Sequence, residues 1–248
     1  MESILALIDR DIIHKLARNL NGDSIRQGEK FGHNDAVSNS AFEDVWLGST
    51  NLVQPTTART LTVQSSGNDN GASSTGAQKI MIEGLDANYN EISEEIATNA
   101  AEDPTTTKSF LRVNRIYVTD VGTNGTNENE ITVTTTTDLV IQADIKAGLG
   151  QSEKSHFTVP AGYTCVIVSW SGDCGKGEDF EIELETQEEG KALRIRQRAY
   201  LYQDHIQEDV YVIAPEKTDI KVQAKSLTNA NKAVSASYNY ILYKNGLL

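Results

Sequence analysis

His156-Phe157-Thr158-Val159-Pro160-Ala161-Gly162-Tyr163-Thr164-Cys165-Val166-Ile167-Val168-Ser169-Trp170 reads as a strand, a turn and a second strand. Proline donates nothing to a hydrogen-bond ladder, so Pro160 belongs at a strand end. Gly162 can take a positive φ that most residues avoid. The run after it, residues 163–170, is almost continuously apolar, as a central strand is. A V-P-A-G turn entering such a strand is common in jelly-roll sandwiches, and Val166, Val168 and Trp170 are expected in the core. Outward from this stretch the apolar period is two. Leu61 and Val63, Ile80 and Ile82, Leu111 and Val113, and Ile131 and Val133 alternate before it. Phe180, Ile182 and Leu184, Ile220 and Val222, and Val234, Ala236, Tyr238, Tyr240 and Leu242 alternate after it. About a dozen short strands without helical spacers predict an all-β antiparallel β-sandwich of jelly-roll type.

The N-terminus reads differently. Leu5, Ile8, Ile12 and Leu16 recur at helical spacing over residues 3–20, and Asn21-Gly22 supplies a stop. A lone helix of this length is marginal in water, so its apolar stripe needs a cover. Residues 23–40 turn polar and Gly-rich and are expected as an extended arm. The working division is a helix and anchoring arm over 1–45, a β-rich region over 46–150 and the sandwich over 151–248. Spacing leaves open whether 46–150 is a separate unit or the other sheet of the same sandwich.

The chain has 248 residues, 38% of them hydrophobic and 23% charged, which suits a folded soluble protein with a sizeable core. Its formal charge of −13 argues against direct nucleic-acid binding, which needs a basic face. Arg194, Arg196 and Arg198 are expected on a strand face with Glu partners on a neighbour. Acidic side chains within residues 1–20 rule out a signal core or a membrane span there, so the chain is expected to stay in the cytoplasm in which it is made. Cys165 and Cys174 are expected on one hairpin. Geometry admits a disulfide between them, and reduced thiols are the expected state.

Glu83-Gly84-Leu85-Asp86-Ala87-Asn88-Tyr89-Asn90-Glu91-Ile92-Ser93-Glu94 is a hairpin around a Gly/Asp/Asn turn. It also resembles a motif of virion proteins from marine tailed bacteriophages. Further segments match that family in the same order: Lys30-Phe31-Gly32-His33-Asn34, Phe42-Glu43-Asp44-Val45-Trp46, Gly122–Asn127, Gly148–Ser152, Phe157–Gly162 and Glu216–Ile220. The resemblance spans residues 30–243. It implies a head-associated structural protein of the virion, assembled in the host cytoplasm. The partners implied are the major capsid protein or other virion proteins, together with further copies of the chain, a trimer by family analogy.

The chemistry-bearing residues point the same way. His14, His33, His156 and His205 stand in no metal-ligand spacing, and no Gly-x-Ser-x-Gly elbow occurs. Glu181 and Glu183 alternate with Phe180, Ile182 and Leu184 and are expected on a solvent face. Asn68-Asp69-Asn70 has the look of a calcium loop without the EF-hand spacing, and a surface loop is the better reading. No catalytic residue, cofactor or metal is expected. The function expected is contact: a capsid decoration or cement protein, with a collar, tail or fibre component or a carbohydrate-binding module as alternatives. The candidate anchoring residues are Leu5, Ile8, Ile12, Leu16, Phe31, Phe42 and Trp46. Of the tyrosines, Tyr200 with Tyr202, and Tyr238 and Tyr240 with Tyr243, are dense enough to serve a glycan.

Overall fold

The computed structural model describes residues 24–48, 51–202 and 205–246. The expected helix over 3–20 lies outside them, with Leu5, Ile8, Ile12 and Leu16. The described chain is all β and antiparallel. It opens with β1 (Ile25–Val37) and β2 (Glu43–Asp44). Six strands follow: β3 (Leu61–Gln64), β4 (Ala77–Leu85), β5 (Glu91–Ala97), β6 (Arg112–Val121), β7 (Ile131–Thr135) and β8 (Ile141–Ile145). Then come the short β9 (Phe157–Thr158) and six longer strands: β10 (Tyr163–Cys174), β11 (Asp179–Glu188), β12 (Arg194–Tyr202), β13 (His205–Ala214), β14 (Thr218–Ser226) and β15 (Lys232–Lys244).

One sheet runs β1-β15-β10-β13 and another runs β12-β11-β14-β2. Taken in chain order, these eight strands make the double-sheet jelly roll: first with eighth, third with sixth, second with seventh, fourth with fifth. Its interior is packed with Trp170, Phe180, Leu184, Leu201, Val222 and Tyr238, all essentially buried. Between the second and third of these strands the chain inserts β3 to β8. These form two three-stranded sheets, β3-β7-β8 and β5-β4-β6, around their own core of Leu61, Ile80, Ile82, Phe110, Ile116 and Val133.

Residues 25–44 correct the expectation of an arm. β1 pairs with β15 over most of its length, and β2 pairs with β14, so this segment is two strands of the jelly roll. The polar look of β1 has a steric cause. Its inward positions include Gly28 and Gly32, where a Cβ would overlap the Tyr240 ring and the Val45 carbonyl. Close packing against those groups leaves no room for the apolar side chains that mark a strand in sequence.

β10 brings a second correction. Its register against β13 and β15 shifts between Ile167 and Ser169, so Val168 is a bulge and the faces swap there. Cys165, Ile167 and Trp170 fill the jelly-roll core, while Val166 packs with Ile241 and Tyr243 on the other face, Val168 beside them. The two cysteines sit towards opposite ends of this one strand, not across a hairpin. Nine residues of strand span about 30 Å, far beyond disulfide reach.

Candidate functional site

The anchoring residues that the structure describes do not share a surface. Phe31 projects from β1 and is 40% exposed. Phe42 is half-buried with the Lys225 ammonium 4.9 Å above its ring. Trp46 is buried within the chain, with His156 edge-on at 6.2 Å and Lys154 Nζ 5.9 Å from its ring, which leaves it no face for a neighbour.

Trp46 belongs instead to a polar junction between the jelly roll and the inserted body. Lys154 Nζ donates to the carbonyls of Val113 (2.8 Å) and Gln142 (2.6 Å), and Lys30 Nζ donates to that of Asn114 (2.6 Å). Burial, with a neighbouring cation in each case, pushes both ammonium groups down to about 7. Beside them Arg112 on β6 binds Asp219 on β14 with two bonds of 2.9 and 3.0 Å. Asn114 exchanges a pair of hydrogen bonds with the backbone of Thr158. Spacing alone does not reveal these residues, since each contact joins segments far apart in the chain. The one visible signal is Lys30, a charge on an inward position of a strand.

Asp44 lies at the rim of this junction, 1% exposed. Its carboxylate accepts from Leu52 N, His156 Nε2, Lys221 Nζ and Gln223 Nε2 at 2.7–3.1 Å. Burial alone would raise this carboxyl, but His156 and Lys221 hold it well below the ordinary carboxylate range. Burial pushes the His156 ring below its own ordinary value, so at neutral pH it is uncharged and donates Nε2–H to a carboxylate that can only accept. His156 and Asp44 form a buried pair in which the carboxylate oxygens are filled, while His156 Nδ1 is buried without a hydrogen-bond partner among the described residues. A cleft of about 540 Å³ runs alongside, between β1 and the β5-β4-β6 sheet. Of its charged lining residues, Arg26 pairs with Glu91 (2.9 Å), Arg115 donates to the Gln151 amide oxygen (2.7 Å) and Glu83 accepts from Tyr117 (3.1 Å).

The remaining candidates resolve one by one. Asp69, in the segment expected as a surface loop, is fully buried, and its oxygens accept the backbone N–H groups of Ala77, Glu128 and Asn129 at 2.6–3.0 Å. It staples the loop to its neighbour. Glu181 and Glu183, expected on a solvent face, are at most 7% exposed, and Glu185 beside them is buried too. Arg198 reaches across from β12 to Glu181 and Glu183, while Lys225 and Lys221 cover the row from β14. The Arg–Glu pairing expected for β12 is thus present at Arg198. Tyr238, Tyr240 and Tyr243 are buried, whereas Tyr200 and Tyr202 lie exposed with rings stacked 6.3 Å apart. Among the described residues no group of three His, Cys, Asp or Glu side chains is placed to hold a metal, and no helix is long and apolar enough to cross a membrane.

No family model and no curated protein matches the chain. Among solved structures it is similar to the infectious bursal disease virus VP2 subviral particle, at 9% identity and a TM-score of 0.22, over 96% of this chain and 78% of that one. It is also similar to the Gx strain of the same virus, at 10% identity and a TM-score of 0.23, over 90% and 73%. Likeness at that level carries no weight for role.

Proposed function

We propose that the chain is a structural protein of a virus particle, and more narrowly a decoration or cement protein on the head of a tailed bacteriophage. It would bind the major capsid protein, add contact area and perform no reaction. The observation that supports this most is the jelly-roll strand order around a filled apolar interior. Viral capsid domains are among the chains built on that double sheet. A closed interior puts the work of the protein on its surface. The step from fold to role is an analogy, and the ordered segments that resemble those of tailed-phage virion proteins support the same direction. The acidic exterior keeps a part made in many copies soluble. Residues 1–22, with Leu5, Ile8, Ile12 and Leu16, are the proposed attachment element.

Quantitative mass spectrometry of purified particles tests this reading. Hundreds of copies per particle are expected for a shell decorator, and about a dozen would point to a collar. A few dozen would indicate a vertex protein or fibre, and absence from the particle would end the virion reading. Removing residues 1–22 should leave a folded body that no longer joins heads. A second reading, a glycan-binding module, draws on the exposed Tyr200–Tyr202 stack, since lectin domains also use the jelly roll. Glycan-array binding lost in Tyr202→Ala would favour it.

A further inference from the structure

The two jelly-roll sheets end at the same place. β12 closes one sheet and β13 the other, and on their outer sides neither strand pairs with another strand among the described residues. Free strand edges of nine and ten residues are hazards that folded proteins cover or pair. This edge is also apolar. Ile195, Tyr200, Tyr202, Tyr211 and Ile213 are all exposed, Tyr202 by 65% and Tyr211 by 60%.

The charges on the two strands are of opposite sign. β12 carries Arg194 and Arg196, which make no ion pair among the described residues, in a chain that is otherwise strongly acidic. β13 carries Glu208 and Asp209, and of these Glu208 accepts one bond from Trp170 Nε1 at 3.2 Å. We infer that this edge docks a second copy of the chain, with β12 of each copy pairing antiparallel to β13 of the other.

The geometry follows from the topology. β12 and β13 are successive strands that run in opposite directions, one in each sheet. Rotating a copy by half a turn about an axis parallel to the strands sets its β12 beside β13 of the first, antiparallel, and the reverse at the second junction. Each sheet then continues into the partner's other sheet, and both edges vanish. Arg196 comes to lie beside Asp209 at both junctions, with Arg194 further along, level with Tyr211 and Val212. Tyr211 and Ile213 come to lie near Ile195 at one end of each junction, and Tyr200 and Tyr202 near Ile206 at the other, which gives each end an apolar cross-strand contact. A two-fold interface of this kind is self-complementary. It concerns the isolated chain and does not depend on the virion reading.

Light scattering after size exclusion, on the full chain and two variants, tests the pairing. The wild type is expected at twice the chain mass. Arg194→Glu with Arg196→Glu sets acid against acid, and Gln207→Lys with Asp209→Lys sets base against base. Each variant alone is expected to dissociate at least ten times more readily than the wild type, with an unchanged circular dichroism spectrum. Mixing the two variants is expected to restore the dimer, because both junctions of the mixed pair are then complementary. A wild-type monomer or trimer, or a mixture that stays monomeric, would overturn the inference. Should a variant misfold, hydrogen exchange on the wild type decides the matter. Amides of β12 and β13 must gain protection as concentration rises, and equal exchange at all concentrations would refute the pairing.

Discussion

The jelly roll and the inserted body are built on the same principle but joined by a different one. Each encloses apolar side chains: Trp170, Phe180 and Tyr238 in one, Ile80, Ile82 and Ile116 in the other. Between them the contacts are mainly polar, with two buried ammonium groups on strand carbonyls, an Arg112–Asp219 pair and an Asn114–Thr158 exchange beside a small apolar cluster of Leu85, Tyr89, Leu111 and Ala161. Polar interfaces between units of one chain are the common case, and they fix orientation more than they add stability. The difference suggests two cores that form separately and a junction that sets the angle between them. The jelly roll draws its strands from both sides of the insertion. The insertion therefore acts as one long loop, and loop-closure entropy grows only slowly with length.

The largest effects are expected in the cores. Phe180→Ala should cost about 3–5 kcal/mol and Ile82→Ala about 2–5 kcal/mol by denaturant unfolding. Hydrogen exchange should separate them. Ile82→Ala should speed exchange in β3 to β8 and spare β10 to β15, and uniform loosening would show one cooperative unit instead of two. Gly32→Ala comes next, at about 1–3 kcal/mol from overpacking. On a free arm the same change would cost nothing.

At the junction, Lys154→Ala should cost about 1–3 kcal/mol, because it strands the carbonyls of Val113 and Gln142. The pH profile sharpens this. Lys30 and Lys154 titrate at about 7 in the folded chain against 10.5 when unfolded. Between those values the unfolded state holds more protons, so stability should rise with pH from about 7 to 10.5 and be flat in this respect below 7. Lys154→Met should remove a share of that slope in urea melts taken across the window, and an unchanged slope would refute the assignment. The smallest effect is expected from chelation. EDTA should leave the melting temperature where it is, since both Asp69 oxygens already accept backbone N–H groups.

Period-two alternation made the strands of both bodies legible, because one face of each is buried and the other wet. It failed where another rule took over. β1 was hidden because Gly28 and Gly32 hold inward positions that other residues fill with valine or isoleucine. The faces of β10 were misassigned because one bulged residue, Val168, inverts the alternation midway. Glu181 and Glu183 alternate as a solvent face does, yet long Arg and Lys stems from neighbouring strands cover them, which no single-strand pattern records. The junction lysines were illegible for a related reason, as their partners are backbone carbonyls 12 to 84 residues away.

The central claim is that residues 25–44 complete the jelly roll instead of hanging free as an arm. His33 and Ser235 stand directly opposite on β1 and β15, with side chains in hydrogen-bond contact at 2.8 Å. Replacing both with cysteine and oxidising under mild conditions tests this most directly. The account predicts an intramolecular link between positions 33 and 235, found by non-reducing peptide mapping in nearly every chain. Two freely alkylated thiols at those positions in a folded protein would contradict it.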